Sequence, residues 1–544
     1  MSTTWPHAPV AVLGAGPVGQ TTALLLARWG VPAIVLDQRP ARDRVGSKAI
    51  CQQRDVLDIW DAVGAGAQIA AEGVTWTTAR TFHRDAELFA TEFAEAGRPA
   101  FPPFVNISQT RTEEILDERI AAEPLVEVRW GNRVVHVDHD GSGVEVRLED
   151  GGRLRAPYLV VCGGARSDQL RELLGVGFDG HSFDDRFLIC DVRADLPGWA
   201  TERRFYFDPE WNPGRQVLIH PCPDSTFRVD WQVPSDYDLD AEVASGALDA
   251  RIRKIVGHRD YEIVWKSVYR FHSRVVDRMR IGRVLVAGDA AHLVSPFGAR
   301  GLNSGVADAE NAAWKIAWVG YGWSPDALLE SYHDERHAAA VENITVTTAT
   351  MDFLVPQDES QARYRADVLA AAAHDADSRT RVDSGRLAEP FWYAESRLTT
   401  AAAHRTFAGR PPRGQLPPAG PGVLLPDAPV ARPDGTTGQV RTLARDGFLL
   451  LTAHGVDLDA VRAATRALPG PVRVLALTDL DPHGTLADAL DVRRGEVWVV
   501  RPDAHVAATL IDPAIDDIVA ALQRAAAHTA PQEDDRHGVL HASR

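Results

Sequence analysis

Gly14-Ala-Gly16-Pro17-Val-Gly19 fits G-x-G-x-x-G and lies between an apolar run, Val10 to Leu13, and an alanine- and leucine-rich stretch, Gly19 to Trp29. Each glycine has a physical use: a tight turn, close backbone approach to a pyrophosphate, and close helix packing. The start of the following helix, beside Pro17, adds amide donors and the positive end of a dipole. Asp37 ends the next apolar run about 20 residues on, where a carboxylate can accept both ribose hydroxyls of an adenosine. Strand, turn, helix and acid together imply a bound dinucleotide.

A second stretch lies far downstream: Gly288-Asp289-Ala-Ala-His292, then Pro296-Phe297-Gly298-Ala-Arg300-Gly301-Leu302-Asn303-Ser-Gly305, after the apolar run Val284 to Ala287. Together with Gly46-Ser-Lys48-Ala-Ile-Cys, Arg54-Asp-Val-Leu, Phe104-Val-Asn-Ile-Ser-Gln109 and Gly164-Ala-Arg166-Ser167, it resembles the class A FAD-dependent aromatic hydroxylases, the group of phenol hydroxylase and 3-(3-hydroxyphenyl)propionate hydroxylase. The resemblance implies non-covalent FAD and NADPH or NADH as a transient reductant. It also implies O2 addition at flavin C4a to give a hydroperoxide, whose distal oxygen is transferred to a phenol-like ring. By the same resemblance Asp289 holds the ribityl chain, Gln109 approaches that linker, and Lys48 lies near the pyrophosphate. Gly301, Leu302 and Asn303 would face N1 and the C2 carbonyl, with Gly288 and Gly298 shaping the turns and Pro296 beside C4a.

Two positions depart from the family pattern. Gly163 stands where an acid is usual, in a motif that the family uses for both FAD and NAD(P)H, and Lys48 replaces an arginine, keeping charge but losing a bidentate fork. Arg300 precedes the flavin-contacting glycine and reads either as a catalytic cation that meets an acidic substrate or as half of a salt bridge. His292 reads as a packing residue. Catalytic or substrate-contact candidates from the middle of the chain are Tyr206, His220, Arg228, Trp231 and His272, with Phe297 on the flavin loop.

The elements that must position these groups predict an α/β protein. A Rossmann-like FAD domain is expected from residues 1–74, 111–179 and 276–345, with Val126 to Val137, Val144 to Leu148 and Tyr158 to Cys162 as returning strands. Short alternating runs in 75–110 and 180–275 suggest an antiparallel substrate sheet with one buried face. A long helix is expected from about Asn303 to Val319, with helical pattern over Ser331 to Ala371, and residues 346–421 as helical segment and linker. Residues 422–528 resemble a thioredoxin-like module without a C-x-x-C pair, and 529–544 read as a polar, frayed tail.

The 58 basic and 75 acidic residues leave a formal charge of −17, which argues against nucleic acid or an anionic membrane as partner. Four scattered cysteines suggest neither disulfides nor a metal site, and the opening residues lack the order of a signal peptide, so a cytoplasmic setting is the expectation, while the thioredoxin-like tail suggests a homodimer. Two rival readings stay open: Baeyer–Villiger or epoxidising chemistry on a polyketide, and a catalytically silent FAD protein that binds a ligand or senses redox state.

Overall fold

The computed structural model describes residues 4–43, 49–432 and 435–528. At its centre, Val10–Leu13 pairs in parallel with Ala33–Asp37 on one side and Leu159–Val161 on the other. Val126–Trp130, Val284–Val286 and the short antiparallel edge Arg280–Ile281 complete a six-stranded sheet. The central strands are buried at every position, as a parallel sheet covered on both faces requires. Pro17–Arg28 and Arg300–Gly320 pack together against it, so close that a Cβ on Gly305 would stand 2.7 Å from the Val18 side chain.

The stretch Val126 to Val137 does not return to this sheet as one strand. Gly131, at φ +72°, turns the chain, its amide bonding Arg39 O, and the amide of Asn132 bonds Asp37 O. Beyond that turn Val134–His139, Val144–Leu148 and Arg153–Ala156 form a separate antiparallel sheet.

An eight-stranded sheet is built on Phe178–Ala194, flanked by Tyr261–Val276 and Thr226–Val233. It continues through Gln216–Cys222, Glu202–Phe207, Thr78–His83 and Ala86–Glu92. Strand alternation gives it two apolar faces. On the outer face Leu188, Val217 and Trp231 pack against Leu248, Ile252 and Val256 of the helix Ala247–Val256. On the inner face Phe187, Phe205 and Leu218 pack against Phe297 and Met351. Only part of 75–110 joins this sheet: Val74–Trp76 and Phe104–Asn106 pair instead with Cys51–Gln53. The Trp76 indole fixes that small sheet by stacking on Phe104 at 5.0 Å and donating to Asn106 at 2.9 Å.

The long helix starts at Arg300, earlier than its sequence pattern suggests, and the helical stretch that follows is split into Ala327–Leu354 and Glu359–Ala372. Pro356 explains the split, because the residue before a proline is forced out of helical geometry; Asp358 then caps the next helix through the Gln361 amide at 2.8 Å. Residues 381–428 carry little regular structure yet pack between the large sheet and the C-terminal part of the chain. There Val472–Ala476, Phe448–Thr452, Glu496–Val500 and Val506–Ile511 form a mixed four-stranded sheet against Trp314 and Trp318 of the long helix. Among the described residues no helix is long and apolar enough to cross a membrane, and the tail 529–544 lies outside them.

Candidate functional site

The three glycines of the first motif differ in what surrounds them. A Cβ on Gly14, at φ +102°, would meet Cys162 O at 2.4 Å, and one on Gly19 would meet Gly14 O at 1.9 Å. Gly16 is different: a Cβ there meets nothing within 4 Å, so the backbone at the start of the helix Pro17–Arg28 borders open space. That is the arrangement a pyrophosphate needs. Asp37 is buried and accepts from the Ala15 amide at 2.8 Å, the Arg39 amide at 2.9 Å and the Arg39 guanidinium at 2.8 and 3.0 Å. Burial works to raise its carboxyl pKa, but Arg39 and the two amides outweigh it and hold the group below the usual carboxylate range. A ribose would share this acceptor with Arg39.

At the second motif, Gly288–Ala290 forms a tight helical turn after the strand Val284–Val286, with Gly288 at φ +60° and Asp289 exposed on it. Beneath the turn lies a buried network not singled out in the sequence. The Gly288 amide donates to Asp308 Oδ2 at 2.9 Å, His292 Nε2 lies 2.7 Å from the same oxygen, and Arg336 Nε donates to Asp308 Oδ1 at 2.7 Å. Arg336 also donates to the Tyr393 hydroxyl at 3.0 Å and the Ser304 hydroxyl at 3.1 Å. Burial opposes ionisation of Asp308, yet His292 and Arg336 outweigh it and pull the carboxyl down to about 2. Because that lies below the unfolded value of 3.8, the stability Asp308 contributes is complete above about pH 4 and is lost as pH falls towards 2. Asp308→Asn leaves Arg336 buried without its counter-charge; it is expected to cost about 3–5 kcal/mol and to loosen the turn that carries Asp289, measured by urea unfolding and FAD content.

The loop from Pro296 to Asn303 links this motif to the large sheet. Ala299 holds φ +58°, a left-handed conformation rare without glycine, stabilised by its amide bond to Pro296 O at 2.9 Å. Gly298, at φ +99°, leaves no room for a side chain because Arg386 O would lie 2.2 Å from a Cβ. Gly301 and Leu302 belong to the first helical turn rather than to a preceding loop, and Asn303 clamps that turn to the small sheet. Its Oδ1 accepts from the Gln53 amide at 2.9 Å, and its Nδ2 donates to Cys51 O at 3.0 Å and Ala299 O at 2.6 Å. Gln109 begins the helix Gln109–Ala121; it accepts from the Ala49 amide at 3.2 Å and donates to Glu113 at 2.8 Å. Lys48 lies outside the described residues.

Several substrate candidates are corrected by their placement. Arg300 is buried and donates to Asn343 Oδ1 at 2.7 Å, Leu387 O at 3.0 Å and Arg386 O at 3.2 Å, and burial lowers its pKa to about 10. Its guanidinium also lies 4.0 Å from the Glu389 carboxylate, as the salt-bridge alternative expects, and holds the 386–389 segment. Tyr206 and Trp231 point to the outer face, under the helices, because in a strand every second side chain turns away. Phe297 is buried among Phe187, Phe205 and Phe271, pinning the loop to the inner face rather than lining an opening. His272 bonds Ser182 Oγ at 2.7 Å, and burial lowers its pKa.

His220 and Arg228 lie directly opposite each other across neighbouring strands, and with them come three residues not singled out before: Asp191, Arg203 and Asp230. Arg228 forms a two-pronged pair with Asp191 at 2.7 and 2.8 Å. His220 Nδ1, Asp230 Oδ1 and Arg203 Nε have no hydrogen-bond partner. Burial pushes the Asp230 carboxyl up to about 7, and burial together with Arg203 and Arg228 holds His220 well below its usual value. Arg203 also lines a cavity with Phe93, Phe104, Leu387, Trp392 and Leu424. Its volume of about 180 Å³ is somewhat above the roughly 150 Å³ of a cavity that holds benzene, room for a one- or two-ring aromatic molecule.

The chain is similar to 3-(3-hydroxy-phenyl)propionate/3-hydroxycinnamic acid hydroxylase of Mycobacterium sp. (strain JLS), 30% identical over 367 residues that are 67% of this chain and 63% of that protein. The match thus spans less than two thirds of that relative's length. In fold, it is similar to the flavin-dependent monooxygenase PieE in complex with FAD and substrate, with TM-score 0.81 and 24% identity over 96% of this chain and 99% of that one. It is also similar to aklavinone-11 hydroxylase with FAD and aklavinone, with TM-score 0.75 and 24% identity over 97% and 100% of the two chains. A family model described as an FAD binding domain matches residues 7–347, more than half of the chain, and the protein therefore belongs to that FAD-binding family, among the class A flavin monooxygenases.

Proposed function

We propose that the protein is an FAD-dependent monooxygenase that uses NAD(P)H and O2 to hydroxylate an aromatic, phenol-like small molecule. The observation that carries this reading is the loop Pro296 to Asn303, which joins an FAD-type cradle to the inner face of a sheet bearing unpartnered polar groups beside a cavity. Gly14, Gly16, Pro17 and Gly19 would hold the pyrophosphate, Asp37 the adenosine ribose, Asp289 and Gln109 the ribityl chain, and Gly301 to Asn303 the ring. When bound, FAD takes a hydride from the nicotinamide and activates dioxygen.

The chain's own contribution is positional and electrostatic. First-turn amides of Arg300–Gly320 favour negative charge on a ring held there. The Phe297 cluster keeps water from the inner face, and His220 or Asp230 accepts the proton of a substrate hydroxyl. The C-terminal part, 422–528, we read as a thioredoxin-like domain that serves packing and homodimer formation, since every cysteine precedes it. The discontinuous domain limits given above and a cytoplasmic setting belong to the same proposal.

One observation favours the silent FAD protein as a second reading: Gly163 supplies no carboxylate where the family has an acid. Nicotinamide oxidation separates the two. The hydroxylase reading predicts that some phenol or aromatic acid speeds NADH or NADPH oxidation by about tenfold or more, about 1.4 kcal/mol of barrier. No stimulation by any aromatic compound with either nicotinamide would support the silent protein.

A further inference from the structure

Arg203 lies on Glu202–Phe207, on the inner face of the large sheet, and is 2% exposed. Its neighbours in the cavity wall are matched cations: Arg54 with Glu95, Arg386 with Glu389, Arg413 with Asp383, and Arg441 with Asp55 and Asp58. Arg203 is not. Among the described residues no carboxylate oxygen lies within 4.0 Å of it, although Asp230 is on the same face. Its Nε has no partner, and its Nη2 reaches only Ser384 O, at a marginal 3.4 Å. Burial lowers its pKa to about 10, so it is still a cation at neutral pH. A guanidinium taken out of water with no carboxylate in contact, only Asp230 at longer range, is costly, and such a group in the wall of a cavity is matched most simply by an anion that enters the cavity.

The rest of the wall describes the other end of that anion. Phe93, Phe104 and Trp392 offer aromatic surface, and the Trp76, Phe93 and Phe104 rings already pack together at 5.0–5.7 Å. We infer that Arg203 selects the substrate, its guanidinium pairing with an acidic oxygen, a carboxylate or an ionised phenol, on a one- or two-ring aromatic molecule held against these faces. This rests on the hydroxylase reading and deepens it, since it names the charge and size of the substrate.

Equilibrium dialysis of the FAD-loaded full chain, without nicotinamide, tests it apart from turnover. The probes are benzene and naphthalene carboxylates against their carboxamides, and nitronaphthols that ionise near neutral pH, each above and below its own pKa. The acids are expected to bind about 10- to 100-fold more tightly than the amides, the worth of a charged hydrogen bond, and naphthols more tightly once ionised. Preference in only one arm identifies which acidic oxygen the site takes. Arg203→Met should bring the acid-to-amide ratio close to one with FAD content unchanged, and Arg203→Lys should keep part of it. If Arg203→Met does not fold, a fall of the preference by about threefold or more in Arg203→Lys supports the assignment, because lysine keeps the charge but not the fork. Equal binding of anionic and neutral probes by the wild type, or an acid preference left undiminished by both Arg203→Met and Arg203→Lys, overturns it. A failure to insert oxygen would overturn the hydroxylase reading instead and leaves the binding result to be read by itself.

Discussion

An apoprotein carrying Gly16→Val is expected to melt within about 2 °C of the wild type and to bind FAD at least about 100-fold more weakly. The two halves of this expectation come from one observation. Gly16 has ordinary backbone angles and nothing within 4 Å of where a Cβ would be, so the protein itself has no objection to a side chain. The only thing that side chain can displace is what approaches the first-turn amides of Pro17–Arg28. The other two glycines give the contrast: at Gly14 a Cβ meets Cys162 O at 2.4 Å in a left-handed conformation, and at Gly19 it meets Gly14 O at 1.9 Å. Valine at either should therefore unfold or grossly destabilise the domain before cofactor binding can be measured. Calorimetry of the apoproteins beside FAD fluorescence titration checks all three. A Gly16→Val protein that holds FAD as the wild type does would remove the cradle from the account.

The second large effect concerns how the C-terminal part is held. Glu335, on the helix Ala327–Leu354, accepts from Arg501 at 2.5 and 2.9 Å, Lys315 at 2.6 Å, Asn311 at 2.8 Å and Ser396 at 2.5 Å. Arg501 also pairs with Asp503 at 2.6 Å, and all four charged groups of this seam are buried. Burial works against the Glu335 and Asp503 carboxylates, but Arg501 outweighs it and holds both far below the usual carboxylate range. Arg501→Met leaves two buried carboxylates with one lysine between them and is expected to cost about 3–5 kcal/mol. Adding Asp503→Leu should recover part of that loss, because the uncompensated charge goes with it. The wild-type contribution of the seam should be complete above roughly pH 5 and decline below it, since both folded pKa values lie under the unfolded ones. Urea unfolding of the single and double variants at pH 7 and of the wild type at falling pH measures each part.

What the sequence made legible follows from how local each signal is. The first glycine motif needs only contiguous residues, and its turn, helix and terminal Asp37 are where spacing places them. The start of the long helix was displaced because Arg300, Gly301 and Leu302 look like loop, while the cap that starts the helix is a left-handed Ala299 no propensity announces. Face is the other blind spot. Tyr206 differs from Phe205 by one position, and alternation says that they oppose each other without saying which looks inward. The pair Asp308–Arg336 was invisible for a further reason, since a charged residue reads as surface until its partner, here 28 residues away, is brought beside it; Arg203 and Asp230 read as surface because alternation does not say that their face is the covered one.

The central claim is oxygen transfer from a bound flavin to an aromatic ring, and a single-turnover reaction under isotopically labelled dioxygen tests it most directly. Reduced, FAD-loaded protein mixed with an aromatic acid that it binds is expected to return a product carrying one labelled oxygen on the ring. Reoxidation that yields only hydrogen peroxide, with every aromatic compound recovered unlabelled, would contradict the account.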